Sequence, residues 1–529
     1  VLSLAILVAV MAACSKDESP TSVDGDDINA YVSSLQYDAD QMLNVQDTGN
    51  QDRKQTQLGD PEVTDEWVPG VGEKHCVRTR YNLQQNFDKL AIMRPTQGIV
   101  WPGALVKGNQ SLTDGLPEPV TLARAPITIS IDLPGMGTNG VKVVSNPTQS
   151  SVQAAIDNAL EWWNANAYQD GYVNAASSSF NWSTSYSSEQ TGLGVGLNMQ
   201  WASGEVSSVF NTSTTNETHV VTGAFQQAFY TVTFDTPSSP AAVFDPSVTV
   251  EDARRQMNAG APPAYIANVT YGRIIAVRME TTYNATTTDI EGAFKYTAGI
   301  QQASGTLETT YKQILSNSTF TVVTLGGNAA VATELLTGPI ASFEGMLKVI
   351  QGENAIYSRS NPGVPVSYTV RYLADNALAR LGSTTDYTAT ECTFNTAKVT
   401  VTYKGIKILG DCRLFEGYFY WTLGAELDGA FSTIAKRTSA EALLGDDVTG
   451  TYHTINLAKT YSIPKVEGAE IYVVGDVWEK LTGTHFPHMR VKHAMSSGWS
   501  TGTKSVTLDA GPVGISACKV RVDYEVRVE

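Results

Sequence analysis

A β-rich α+β fold spread over about three or four domains is what this sequence predicts, on three observations. The chain has 529 residues, more than one hydrophobic core usually serves. Thr, Ser, Val and Ala are abundant and there are 23 Tyr, a composition suited to pleated, half-buried strands. Alternating apolar and polar runs recur along it, while helical spacing is confined to a few stretches. Hydrophobic content of 42% supplies buried cores and excludes global disorder.

Residues 2–13, LSLAILVAVMAA, form an apolar run too short for the roughly 20 residues a spanning helix needs, but suited to a signal-peptide core. It ends in Met11-Ala12-Ala13-Cys14, which resembles a bacterial lipobox. Residues 1–13 are therefore expected to be a signal peptide, with its charged segment ahead of Val1, and Cys14 the lipidated residue. Ser15-Lys16-Asp17-Glu18 is similar to the export signal that sends some bacterial lipoproteins to the outer face, and residues 14–30 read as a lipid-anchored linker. The expected location is the bacterial outer membrane, surface-exposed, with extracellular release if that linker is cut.

With 36 basic and 53 acidic residues the formal charge is −17. Such a surface repels phosphate backbones and anionic headgroups, so nucleic acid is no partner and simple electrostatic adsorption to a membrane is excluded. Membrane contact must come from apolar tips or a specific receptor. The chain carries neither a P-loop nor a His-Glu-x-x-His pair. His485, His488 and His493 cluster in HFPHMRVKH, but a Pro-containing loop does not place them on one helix face as zinc binding requires. No enzyme activity, cofactor or metal is expected.

In chain order, residues 126–133 (PITISIDL) alternate as a strand and stop at Pro134-Gly135. Asn146-Pro147-Thr148 offers N-cap chemistry ahead of Ser151–Trp163, where Val152, Ala155, Ile156, Leu160 and Trp163 recur at helical spacing. Two later segments are ambivalent. In 193–201, Leu193, Val195, Leu197, Met199 and Trp201 alternate with Gly, Asn and Gln, a strand signal. In 290–301, Phe294, Tyr296, Ala298 and Ile300 also alternate, but the Ala, Lys, Gln and Glu around them suit a helix equally. A Ser/Thr/Asn-rich stretch at 207–218 suits a turn between two strands. By pattern alone, both segments also read as ordinary strands of an antiparallel sheet.

Four cysteines follow Cys14: Cys76, Cys392, Cys412 and Cys518. Cys392 and Cys412 bracket the runs Lys398–Tyr403 and Ile406–Leu409, separated by Lys404-Gly405. They are the candidate disulfide, stapling the ends of a hairpin, although four cysteines allow three pairings.

Several stretches, in order, resemble the cholesterol-dependent (thiol-activated) cytolysins. They are Pro102-Gly103-Ala104-Leu105, Ser130–Met136, Asn146-Pro147-Thr148, Gln227–Val232, Ala261-Pro262-Pro263, Val269–Arg273 through Val277–Thr282, Phe320–Val323, Leu325-Gly326-Gly327 and Pro365–Thr369. The resemblance implies an elongated cytolysin/perforin-like pore-forming fold. Its central twisted antiparallel sheet would be flanked by helical clusters, with a C-terminal β-sandwich. The domains it implies are a body at 31–178, with 231–273 and 351–388, a pore-forming domain at 179–230 and 274–350, and a receptor-binding sandwich at 389–529.

By the same resemblance the two ambivalent segments fall where helical clusters unfurl into membrane hairpins, at about 190–218 and 287–316. Leu193, Val195, Leu197, Met199, Trp201, Phe294, Tyr296 and Ile300 would then face lipid. A barrel strand needs period-two amphipathicity and complete backbone pairing, which forces closure over many subunits. Gly326 and Gly327 match the family's hinge beside a core strand edge, and Phe180 and Phe320 its inter-subunit stacking pair. By that resemblance Trp182 stands where the family has an acid, and Gly338 or a neighbour where it has a base, so that charged pair is missing. The Trp-rich, Cys-containing undecapeptide is also absent: Val474–Leu481 holds Trp478 and no Cys. Thr507-Leu508 is one of several Thr-Leu pairs and carries no cholesterol signature. The resemblance therefore implies a homo-oligomeric pore former of the branch without these elements, some of whose members use a second subunit type. Its target would be a membrane lipid or surface glycan other than cholesterol, with Trp478 and Trp499 as candidate contacts. The rival expectation is a non-lytic adhesin or glycan-binding lipoprotein on the same fold.

Overall fold

A computed structural model describes residues 23–92, 98–197, 209–215, 218–327, 352–409, 418–444, 452–481, 483–513 and 516–529. The chain divides into two units, Val1–Asp60 with Thr79–Thr390, and Pro61–Arg78 with Glu391–Glu529. Of the three crossings, two fall inside strands, Gly72–Phe87 and Leu381–Phe394, and the third lies between strands at Asp60 and Pro61.

The first unit is organised on a sheet of nine strands among the described residues. Its spine is five antiparallel strands: β1 (Ser177–Thr184), β2 (His219–Phe234), β3 (Pro263–Thr281), β4 (Ser318–Leu325) and β5 (Val364–Tyr372). The 19-residue β3 is rich in Val, Ile and Tyr and is buried nearly throughout. One edge of β3 pairs with β2 along most of its length; the other pairs with β5 from Ala264 to Gly272 and with β4 from Ile274 to Thr281. Helix α1 (Gln149–Ala165) covers the helix expected over 151–163, and Thr148 closes a capping box with Ser151. Its Val152, Ile156, Ala159 and Trp163 face the core, and the Trp163 indole donates to the Pro134 carbonyl at 2.7 Å. The strand expected over 126–133 runs Ile127–Ile131.

The second unit is a β-sandwich. One sheet orders β9 (Tyr452–Pro464), β6 (Thr396–Leu409), β13 (Ser516–Val528) and β12 (Gly502–Val513). The other orders β8 (Ala430–Arg437), β7 (Tyr418–Leu427), β10 (Glu470–Glu479) and β11 (Met489–Ala494), with Leu443–Leu444 beside β7. Val399, Val401, Leu423, Val473, Val477, Val520 and Val522 interdigitate between the sheets. Buried Tyr403 donates to the carbonyls of Gly424 and Val474, 2.8 and 2.7 Å away, so its hydroxyl is satisfied across the core.

Two expectations for this unit are corrected. Lys398–Leu409 is one continuous strand, and Lys404-Gly405 marks a register shift against both neighbours, a bulge where a turn was expected. The strand holds the chain on either side of it about 40 Å apart, by the rise of an extended chain. Cys392 accordingly does not pair with Cys412; it is bonded to Cys76, in the Gly72–Phe87 strand. Cys518 is also disulfide-bonded, and Cys412 lies outside the described residues.

Candidate functional site

β1 to β4 form an antiparallel sheet covered on both faces. On one face Val221 and Phe225 of β2, Ile275, Val277 and Met279 of β3 and Val322 of β4 pack against two helices. These are α3 (Thr287–Thr297), through Ile290, Ala293 and Phe294, and α4 (Gly305–Ser316), through Tyr311 and Ile314. On the other face Ala224 and Ala276 pack with Val195, Leu197, Val209 and Phe210, which follow helix α2 (Ser188–Gly194). The alternation along β2 and β3 therefore serves two cores, and the small residues sit under the second.

Where they are described, both ambivalent segments are helical or turn-forming. Over 193–197, the described part of the strand expected at 193–201, the chain instead ends α2 and turns; the first turn of α2 is capped by the Ser187 hydroxyl accepting from the Gln190 amide. Gly196, at φ +77°, then turns the chain back. Burial overrides the period-two pattern, since Leu193, Val195 and Leu197 are all fully enclosed. Met199 and Trp201 lie outside the described residues. In the second segment α3 is capped by Thr286. Its turn geometry separates the alternating residues: Phe294 and Ala298 point into the core, Tyr296 is half-buried, and Ile300, beyond the helix end, is 48% exposed. An extended chain would return all four to one face.

The paired glycines stand where the edge of β3 passes from β5 to β4. Gly326 and Gly327 take φ of +77° and +84°, and the Gly327 amide donates to the Pro362 carbonyl at 3.1 Å. A Cβ on Gly326 would come within 2.7 Å of the Gly272 carbonyl oxygen and of Val364 Cγ2. On Gly327 it would meet Arg273 Cδ at 3.0 Å and Asn361 Oδ1 at 3.1 Å. The same level carries register shifts on both sides of β3, at Tyr271/Gly272 against β2 and Thr270/Tyr271 against β5.

Phe180 and Phe320 lie on β1 and β4, the two outer strands of this four-stranded region, and on the same face. Phe180 stacks near Phe225, with centroids 4.0 Å apart; Phe320 is opposite Met279. Trp182 lies beneath the Lys295 ammonium of α3, which is 4.8 Å from its ring centroid. Gly338 lies outside the described residues, as does Cys14.

In the sandwich, the outer face of β7 and β10 carries a row of parallel rings: Tyr420 stacks on Trp478 at 5.2 Å, and Trp478 on His485 at 5.0 Å. Asp476 accepts from His485 Nε2 and His488 Nδ1 at 2.8 and 3.0 Å. Burial alone would raise the Asp476 carboxyl; the hydrogen bonds from His488 and His485 outweigh it and hold the group below its ordinary value. Among the described residues no group of His, Cys, Asp and Glu is arranged for a metal ion.

Trp499 is not a surface contact. It is 4% exposed within the sandwich core, and Leu508 of the Thr507-Leu508 pair is 5% exposed there too. Gly498–Gly502, leading into β12, spells Gly-x-Ser-x-Gly, although no such nucleophile elbow is expected from the sequence. His493, which contacts this segment, is already committed: its Nδ1 donates to the Trp499 carbonyl at 2.9 Å, and Nε2 faces the Tyr524 hydroxyl at 3.1 Å. Ser500 meets the Ser497 hydroxyl instead, so no nucleophile–base pair forms. Among the described residues no helix is long and apolar enough to cross a membrane, which leaves strands untouched by that criterion.

The profile described as "Thiol-activated cytolysin" matches residues 27–395. Tetanolysin of Clostridium tetani is 34% identical over 352 residues, 65% of this chain and 65% of its own length. Streptolysin O of Streptococcus pyogenes is 33% identical over 352 residues, 65% of this chain and 60% of its own. The chain thus covers less than two thirds of the length of these relatives. Among solved structures, that of the human-specific toxin intermedilysin superposes with a TM-score of 0.59 at 27% identity, covering 85% of this chain and 90% of that one.

Proposed function

This chain belongs to the thiol-activated cytolysin family, and from that premise we propose that it is a surface lipoprotein that assembles into a ring and inserts a β-barrel into a target membrane. One observation carries the reading. The segments around α2 and α3–α4 are folded against both faces of a four-stranded sheet, yet each holds apolar residues at strand spacing. A protein that must be soluble first and barrel-forming later needs such sequences, because the face offered to lipid has to be buried beforehand. The second requirement is a strand edge that can be uncovered. β4 covers the upper edge of β3, and the positive-φ glycines that end it are the place where it can swing away and let β3 pair with a neighbouring subunit.

In this reading Cys14 carries the lipid, Phe180 and Phe320 stack between neighbours, and the sandwich binds the receptor. That receptor is not cholesterol, since neither Trp478 nor the Thr507-Leu508 pair lies in the family's recognition sequence. The ring row of Tyr420, Trp478 and His485 beside Asp476 offers an aromatic edge and a charged acceptor to a glycan or headgroup. Trp478→Ala is expected to weaken binding to target membranes while leaving the monomer folded.

The test is single-cysteine labelling of residues 293–300 with an environment-sensitive dye. On membranes, the signal is expected to alternate residue by residue, with 294, 296, 298 and 300 in lipid. A helical periodicity on the membrane would refute the hairpin. The ring row and the missing charged pair also favour a second reading, a non-lytic glycan-binding lipoprotein. It predicts bound protein that stays monomeric and leaves membranes sealed.

A further inference from the structure

We propose that α3 is fastened to β1 by a three-part clasp whose releasable element is Lys295 over Trp182, and that this clasp sets the threshold for unfolding the second hairpin segment. The proposal rests on the reading of 287–316 as a segment that converts from helix to strand.

The clasp runs from successive positions on one helix face to alternate positions on one strand face. The Thr184 hydroxyl donates to Glu291 Oε1 at 2.7 Å. Phe294 lies along Phe180, with ring centroids 6.0 Å apart and planes 27° from parallel. Lys295 Nζ stands 4.8 Å from the centroid of Trp182, which is itself stacked on Phe180 at 5.8 Å. The strand between makes room for this meeting. Gly223 of β2 is paired with Trp182, and a Cβ there would lie 2.8 Å from Phe180 Cε2 and 2.9 Å from Phe294 Cε1.

Periodicity makes the clasp incompatible with the strand form. In a helix, residues 291, 294 and 295 share a face. In a strand, 291 and 295 share one face and 294 joins 296, 298 and 300 on the other. Conversion therefore has to break the set, and it delivers Glu291 and Lys295 to the polar side of a barrel wall. Trp182 thereby gains a role in place of the missing acid: it holds the helix down within the subunit.

The deciding measurement is hydrogen exchange of α3 amides in the full chain, in solution and without membranes. Lys295→Met keeps the length and removes the charge, and should speed exchange in α3 by about 2- to 30-fold. Lys295→Arg should stay near the parent, because guanidinium also sits over indole. In a Trp182→Leu background, Lys295→Met should add nothing further. Unchanged exchange in Lys295→Met, or equal exchange in the Met and Arg variants, overturns the clasp. Dye release from vesicles, measured on the same proteins, judges the pore reading separately. If no variant releases dye while exchange follows this pattern, the pore reading fails and the clasp stands as a property of the monomer.

Discussion

Replacing Gly326 and Gly327 together by Val should destroy assembly while sparing receptor binding. Each glycine sits at positive φ, where a side-chain-bearing residue costs about 1–2 kcal/mol, so the pair costs about 2–4 kcal/mol before any clash. The clash is real at Gly326, whose Cβ would lie 2.7 Å from the Gly272 oxygen. That oxygen has little room to yield, because a Cβ on Gly272 would itself come within 1.9 Å of the Gln227 oxygen. β4 still keeps its pairing with β3 from Ile274↔Leu325 to Thr281↔Ser318, so the strand stays docked and the strain collects in the turn. A swing of β4 must carry this turn past Gly272, Arg273 and Asn361 through conformations that only glycine visits freely. The assay separates three steps on one sample: vesicle flotation for binding, detergent-resistant oligomers for assembly, and dye release for insertion. The expected result is parental binding, no oligomer and no release, with a lower denaturation midpoint for the first unit. Parental release by the double variant would refute the hinge.

Three further outcomes follow from the geometry. Phe320→Ala removes a half-buried ring and should cost the monomer about 1 kcal/mol while sharply slowing conversion of membrane-bound rings, read by oligomer gels against time. Replacing Cys76 and Cys392 by Ser removes a disulfide that closes 316 residues of sequence, and should lower stability by about 2–5 kcal/mol in a denaturant titration. Burial holds His493 below the ordinary histidine value of 6.5, against a partly opposing hydrogen bond to the Trp499 carbonyl. Between that depressed value and 6.5 the unfolded chain binds a proton that the folded chain does not, so stability should fall as pH drops through this window. His493→Gln should flatten the dependence in part, since His453 is shifted the same way by burial and by Arg437.

Local chemistry was legible in the sequence wherever it alone decides the structure. α1 was readable because Thr148 caps it and Val152, Ile156 and Trp163 mark one face. Residues 193–197 were not, because their period-two pattern is overridden by burial of Leu193, Val195 and Leu197, a tertiary effect. Lys404-Gly405 resembles a turn signal, and only pairing on both sides of β6 makes it a bulge. The Cys76–Cys392 bond joins strands far apart in sequence, so no local run announces it. Trp499 was indistinguishable from Trp478 in composition; the fold puts one in the core and leaves the other half-buried on the outer face. The resemblance supplied Gly326, Gly327, Phe180 and Phe320 as candidates, and the structure places the two glycines at positive φ at the end of β4 and the two rings on the outer strands β1 and β4.

Membrane opening by bound protein is what the proposed function requires. Its most direct test is dye release from vesicles with and without cholesterol, using protein that begins at Ser15, with bound protein counted by flotation in the same samples. Release in proportion to bound, oligomeric protein is expected whether or not cholesterol is present. Protein that binds, remains monomeric and leaves the dye inside would contradict it.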